Sequence, residues 1–302
     1  MLVAAPKPED APRTRAQPLS EIGCDSVGMP CISLAARVPV PRAARAFYHC
    51  AAACYHEAPM GRTAGIILIG NELLSGKVVD ANAAYLCREL RALGVDVRRI
   101  VVIPDEVNQI AAEVAQFSGR FDVVFTSGGV GPTHDDVTIE GVARAFGVPV
   151  VRDARMVEVI QRFSGGNLNA ARLRMAEIPE GALPMMGDGL VFPAVVMKNV
   201  YVLPGVPELF RQKFEGLKEQ FRDEPFHLVS VFLSVGEGTL AEHLNEVVRG
   251  YPELMLGSYP ELANPEYKVK VTLESKDRTY MERALGDFLA RLPASVVVRI
   301  QQ

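Results

Sequence analysis

The chain has 302 residues, enough for one large or two modest domains. Its 49% hydrophobic and 23% charged content is that of an ordinary globular protein with material for a core. With 32 Lys plus Arg against 36 Asp plus Glu, and no Trp, neither a basic nucleic-acid binder nor an aromatic platform for single strands is expected. No apolar run approaches the roughly 18–20 residues that span a bilayer, so a soluble protein without a membrane partner is expected.

Residues 1–61 hold eight of the 21 prolines, much alanine and no sustained periodicity, which predicts a disordered extension. Cys24, Cys31, Cys50 and Cys54 fall in this stretch and Cys87 beyond it. A secreted disulfide scaffold would spread its cysteines through the fold, so a reducing compartment is the expectation. His49, Cys50, Cys54 and His56 can be written as a zinc set, but their spacing matches no common finger. Between Ser26 and His56 stand Arg37, Arg42 and Arg45 and no acid, the chemistry of a transit peptide. Two compartments therefore stay open, the cytoplasm and the mitochondrial matrix.

From Thr63 the texture changes. Gly65–Gly70 (GIILIG) is a short apolar run that suits a buried strand. A helix is predicted over Asn82–Leu93, a strand over Val95–Pro104, a helix over Glu106–Phe117 and a strand over Asp122–Ser127. A glycine loop follows, then a helix over Asp136–Phe146. This alternation predicts a doubly wound α/β layer built on a mostly parallel sheet. Residues 153–178 read as helical with a break at Gly165–Gly166, Leu190–Leu203 as a hairpin-like pair, and Val206–Phe221 as a helix.

After a break at Arg222–Pro225 the pattern is different. Strands over His227–Ser234, Leu254–Tyr259, Tyr267–Glu274 and Ser295–Ile300 alternate with helices over Thr239–Tyr251 and Thr279–Arg291. Strand, helix, strand, strand, helix, strand is the ferredoxin-like α+β arrangement. The expected organisation is an extension over 1–61, an α/β domain over 62–225 and a small domain over 226–302.

The stretch Ser127–Asp136, SGGVGPTHDD, is the strongest local signal. Gly128, Gly129 and Gly131 follow a buried strand and precede a helix, so bare N–H groups can approach an anion there. Ser127 and Thr133 offer hydroxyls to a phosphate or to the turn itself. Asp135 and Asp136 stand at the predicted helix start, where one of them could serve as a cap. Two carboxylates beside a phosphate site also suit a divalent cation, since Mg²⁺ takes one or two carboxylates plus phosphate oxygens. Both readings stand. His134 reads as a loop histidine.

If the strand order is 2-1-3, the loop after the first strand shares this crevice. That loop brings Glu72, Asp80, Asn82 and Lys77, with Asp80 and Asn82 equally suited to capping a helix. Loops at Leu203–Glu208, with Gly205, and at Leu256–Pro260, with Ser258 and Tyr259, are turn chemistry first and ligand walls second. No P-loop, complete dinucleotide fingerprint or nucleophile elbow is present.

GIILIGNELLSGKVVDAN, VVIPDE, TSGGVGPTHDD and LPGVPEL together resemble the molybdopterin-binding-like domain of the CinA family. The likeness is greatest to the N-terminal region of eukaryotic FAD synthases, and GSYPE and YKVKVTLES extend it to about residue 300. The resemblance implies nucleotide pyrophosphatase activity: hydrolysis of FAD to FMN and AMP with Mg²⁺, Mn²⁺ or Co²⁺. By position it implies Asp135, Asp136 and Glu72 as metal-holding catalytic residues. It also makes Gly128, Gly129 and Gly131 the phosphate loop. Asn71 stands where the family more often has Asp. FAD synthases of this type also carry a C-terminal domain similar to PAPS reductase that adenylylates FMN, and its residues are not expected in these 302. A homo-oligomer is compatible with the resemblance. The other reading is a regulatory module that binds a pterin or nucleotide without turnover.

Overall fold

The computed structural model describes residues 61–187 and 192–302. The extension, the zinc-like set and the transit-type segment lie outside the described residues, apart from Gly61, as do Leu190 and Val191 of the predicted hairpin.

A six-stranded sheet forms the centre of the first domain, in the order β2-β1-β3-β8-β7-β6. Its strands are β1 (Thr63–Ile69), β2 (Asp96–Ile103), β3 (Val123–Ser127), β6 (Leu183–Met185), β7 (Ala194–Met197) and β8 (Val200–Leu203). β2, β1, β3 and β8 run parallel, while β7 and β6 add an antiparallel edge. The alternation of β1 explains why its run is wholly apolar. Ala64, Ile66 and Leu68 enter one core, whereas Ile67 and Ile69 enter the other, so both faces are covered.

Helices α2 (Asn82–Ala92) and α7 (Pro207–Leu217) cover the first face with Leu86, Leu90, Phe210 and Phe214. Phe125 and Phe214 meet edge to face at 5.8 Å between ring centres. On the second face α3 (Val107–Ser118) supplies Ile110, Val114 and Phe117, and α4 (Thr138–Ala145) supplies Val142. The short helix α1 (Asn71–Leu74) follows β1 directly.

The predicted helical stretch 153–178 holds α5 (Ala154–Phe163) and α6 (Ala170–Arg174), but it does not end as helix. Its last residues form β5 (Glu177–Pro179), which pairs with β4 (Val150–Arg152) as a separate ribbon. Ile178 and Pro179 are buried there, and the turn behind Gly165–Gly166 redirects the chain so that the ribbon can close. α7 stops at Leu217 and continues as a 3₁₀ turn to Phe221.

The second domain is a four-stranded antiparallel sheet in the order β10-β11-β9-β12. It is made of β9 (His227–Leu233), β10 (Met255–Pro260), β11 (Val269–Ser275) and β12 (Val297–Gln301). Alternate residues Val229, Val231 and Leu233 of β9, with Val269, Val271 and Leu273 of β11, turn to one side. Leu240, Leu244 and Val247 of α8 (Glu237–Gly250) and Met281, Ala284 and Phe288 of α9 (Arg278–Ala290) share that core. This is the ferredoxin-like order expected from the pattern.

The two domains meet at the amino-terminal edge of the large sheet. The Asp223 carboxylate accepts hydrogen bonds from Lys276 Nζ and the Arg62 N–H, both at 2.6 Å. Arg91, near the end of α2, holds Glu274 through two hydrogen bonds of 2.5 and 2.8 Å and lies 3.5 Å over the Phe226 ring.

Candidate functional site

At the opposite, carboxyl-terminal edge the ends of β1, β3 and β8 lie side by side, with Ser127 facing both Leu68 and Leu203. The 2-1-3 order that brings the first and third loops together is present. The Gly128 N–H donates to Leu203 O at 3.2 Å, at φ +111°, and a Cβ there would lie 2.1 Å from Ile69 O. Gly129, at φ +61°, would drive a Cβ to 2.4 Å from Thr138 Oγ1. Glycine is required at both. Fully buried Thr138 then ties the loop to α4: its hydroxyl donates to Gly128 O and its N–H to Gly129 O.

Asn82 is a clamp beneath this loop. Only 4% exposed, it donates one amide hydrogen to Ser127 Oγ at 2.9 Å and the other to Gly205 O at 2.8 Å. The Ser127 hydroxyl donates on to Pro204 O at 3.4 Å. Gly205 packs so closely that a Cβ on it would stand 3.3 Å from Gly128 Cα. Ser127 and Asn82 are therefore bound into the scaffold and position the loop. Above them the N–H groups of Gly129, Val130 and Gly131 make no hydrogen bond within the described residues. α4 starts beside them with Val137 at its N-cap and no side-chain cap. Unengaged amides in a glycine turn at a helix start form a concavity suited to an anion.

The carboxylates divide by role. Asp80 accepts hydrogen bonds from the Asn82 and Ala83 N–H groups at 3.0 and 3.1 Å, so it caps α2. Asp136 is not a helix cap. The helix begins two residues later than its pattern suggested, because Asp136 Oδ2 turns back onto the Thr133 N–H at 2.8 Å and the Thr133 hydroxyl. It also lies over Gly131, where a Cβ would fall 2.7 Å from Oδ2. Asp135 is left free and exposed, with His134 Nδ1 3.9 Å away and wholly open to solvent. The nearby Thr133 hydroxyl, then its own N–H and the charges of His134 and Arg174, hold the Asp135 carboxyl below the usual range. Glu72 is exposed too, yet it folds back over the end of β1, and a Cβ on Gly70 would lie 2.3 Å from its Oε1. Asn71 donates its N–H to Asp105 at 2.8 Å.

Among the described residues no three His, Cys, Asp or Glu side chains converge as a ready-made metal cage. The donors that remain are hard carboxylate oxygens beside a turn of unengaged amides, a donor set whose chemistry suits a cation shared with phosphate oxygens. Ser258 and Tyr259 lie on β10 in the other domain, and no hydrogen bond or ion pair joins them to these loops within the described residues. Arg174 was not visible as a site residue in the sequence. Its guanidinium donates to the carbonyls of Thr133 and Asp136 from 41 and 38 residues away.

Residues 65–223 match the family described as a probable molybdopterin binding domain, more than half of the chain. The chain belongs to that family. Residues 225–301 match the family described as the FAD synthase middle domain. A protein of Archaeoglobus fulgidus is 39% identical over 74% of this chain and 95% of its own length. The probable FAD synthase of Caenorhabditis elegans is 32% identical over 79% of this chain. The chain spans about half the length of that relative, 51%. CinA of Thermoplasma acidophilum, solved with unknown function, superposes with a TM-score of 0.50 at 32% identity, over 54% of this chain and all of that one. Members of this molybdopterin-binding-like family thus share the domain that carries the glycine turn. No described helix is long and apolar enough to cross a membrane.

Proposed function

We propose that the chain hydrolyses the phosphoric anhydride of a dinucleotide, FAD being the candidate its FAD synthase relatives suggest, to FMN and AMP. The observation that carries this reading is the run of unengaged N–H groups at Gly129, Val130 and Gly131 beside the free Asp135 carboxylate.

The amides of the turn hold phosphate oxygens, and the N-terminal end of α4 adds its positive dipole. Thr138, Asn82 and Ser127 keep the turn rigid, so its donors are oriented before the substrate arrives. Asp136 fixes Thr133, and Asp135 stands exposed at the rim. Asp135 and the second oxygen of Asp136, with Glu72 on the neighbouring loop a further candidate ligand, would hold a divalent cation, Mg²⁺, Mn²⁺ or Co²⁺, only together with the phosphate oxygens of the bound substrate. Such an ion polarises a phosphoryl oxygen and lowers the pKa of a bound water. Water adds to one phosphorus, the bridging P–O bond breaks, and the two protons of the water pass to solvent.

The test is direct: purified protein, FAD and each metal in turn, with FMN and AMP measured together. Equal formation of both with time supports hydrolysis. Tight binding of FAD or AMP with no turnover under any metal would instead favour a binding module.

A further inference from the structure

Arg174 stands at the end of α6, on a firmly mounted segment. Asn169 caps that helix through the Arg172 N–H at 2.8 Å, and Ala176, two residues beyond Arg174, is fully buried. From there the guanidinium reaches the GPTHDD turn. One terminal nitrogen donates to Thr133 O at 2.9 Å and the other to Asp136 O at 3.1 Å. These two carbonyls bracket His134 and Asp135, so the fork spans the segment that carries the free carboxylate.

Two features set this contact apart from an ordinary surface arginine. First, both bonds go to backbone, across about 40 residues of chain, at a turn whose other hydrogen bonds among the described residues run between Asp136 and Thr133. Second, Arg174 forms no ion pair among the described residues, whereas Arg152, Arg155 and Arg162, earlier in the same segment, each pair with an acid. Its charge therefore stands beside the glycine turn. A lysine could not reproduce the arrangement, because its single ammonium lacks a planar fork that bridges two carbonyls.

We propose that Arg174 is a positioning residue of the phosphate turn: it locks Thr133–Asp136 by its two carbonyls and places an unneutralised positive charge beside the bound anion. The proposal rests on reading that turn as a phosphate site.

The experiment compares wild type, Arg174→Lys and Arg174→Ala by amide hydrogen exchange at Thr133, Asp136 and Thr138, and by calorimetric affinity for pyrophosphate with Mg²⁺. Thermal melting confirms that each variant is folded, and the Lys variant serves if the Ala variant is not. In Arg174→Ala the exchange of Thr133 and Asp136 should quicken by about tenfold, and pyrophosphate affinity should fall by about tenfold, the scale of one charge-assisted hydrogen bond. Arg174→Lys should regain affinity to within about threefold while the exchange stays fast, since it restores charge but not the fork. Unchanged exchange in the folded Ala variant overturns the proposal, as does fast exchange with unchanged affinity. If wild type itself binds no pyrophosphate, the phosphate reading fails, and the exchange data alone decide whether Arg174 holds the turn.

Discussion

The two edges of the six-stranded sheet treat their polar groups in opposite ways. At the amino-terminal edge Arg62, Arg91, Asp223, Glu274 and Lys276 are bonded to one another and to a ring, and the second domain closes over them. At the carboxyl-terminal edge a buried chain of hydrogen bonds runs from the Asn82 amide to Ser127 and Pro204, while Asn82 Oδ1 and Thr126 Oγ1 are buried without a partner among the described residues. Above that layer, however, the Gly129, Val130 and Gly131 amides make no hydrogen bond among the described residues, and the Asp135 carboxylate stands exposed beside them. Polar groups that satisfy each other make a joint, whereas polar groups held rigid and unmatched make a site.

The strongest way to break the contrast is Gly128→Ala. A Cβ at φ +111° and 2.1 Å from Ile69 O must push β1 and β3 apart, so a loss of about 3 kcal/mol or more is expected. Urea unfolding measures it, and a loss below about 1 kcal/mol would show that the strand ends are not close-packed as described. Asn82→Ala comes next. It leaves Ser127 Oγ and Gly205 O without a donor and should cost about 1–3 kcal/mol, with hydrolysis falling alongside stability.

Lys276→Ala sharpens the other side of the comparison. It should lower stability by about 1 kcal/mol and leave hydrolysis unchanged, because the joint lies at the far edge from the turn. The same joint has a pH signature. Lys276, first, and the Arg62 N–H hold the Asp223 carboxyl down at about 2. A depressed carboxyl stabilises the fold above its unfolded pKa, and that contribution is lost as pH falls from about 4 through 2. Melting curves across that window should show the loss in wild type and a smaller one in Lys276→Ala. The smallest effect belongs to His134→Ala, for a side chain fully open to solvent. Turnover should stay within about twofold, the range of a change at an unengaged surface group.

Much of this was legible in the sequence because it rests on local rules. A continuous apolar run gives β1, an alternating one gives β11, and glycines after a buried strand give the turn at Gly128–Gly131. The capping role open to Asp80 follows from its place before α2. What escaped depends on contacts made by distant chain. The β4–β5 ribbon forms only when Ile178 finds Val151, so its second strand reads as helix in isolation. Asp136 stands where a cap is expected, but Gly131 leaves room for its carboxylate to turn back onto Thr133. Arg174 has no local pattern at all, because its partners are carbonyls more than 35 residues away.

If the unmatched groups at the carboxyl-terminal edge do chemistry, the exposed Asp135 carboxylate is the one among them whose charge is needed. Asp135→Asn tests it most directly, measured as FAD hydrolysis at saturating metal beside the melting temperature of the same preparation. Asp135 bonds to no helix and its side chain is exposed, so the fold should be unaffected. Turnover should drop by about two orders of magnitude or more, near 2.7 kcal/mol of barrier. Hydrolysis within a few-fold of wild type in a folded Asp135→Asn protein would contradict the account.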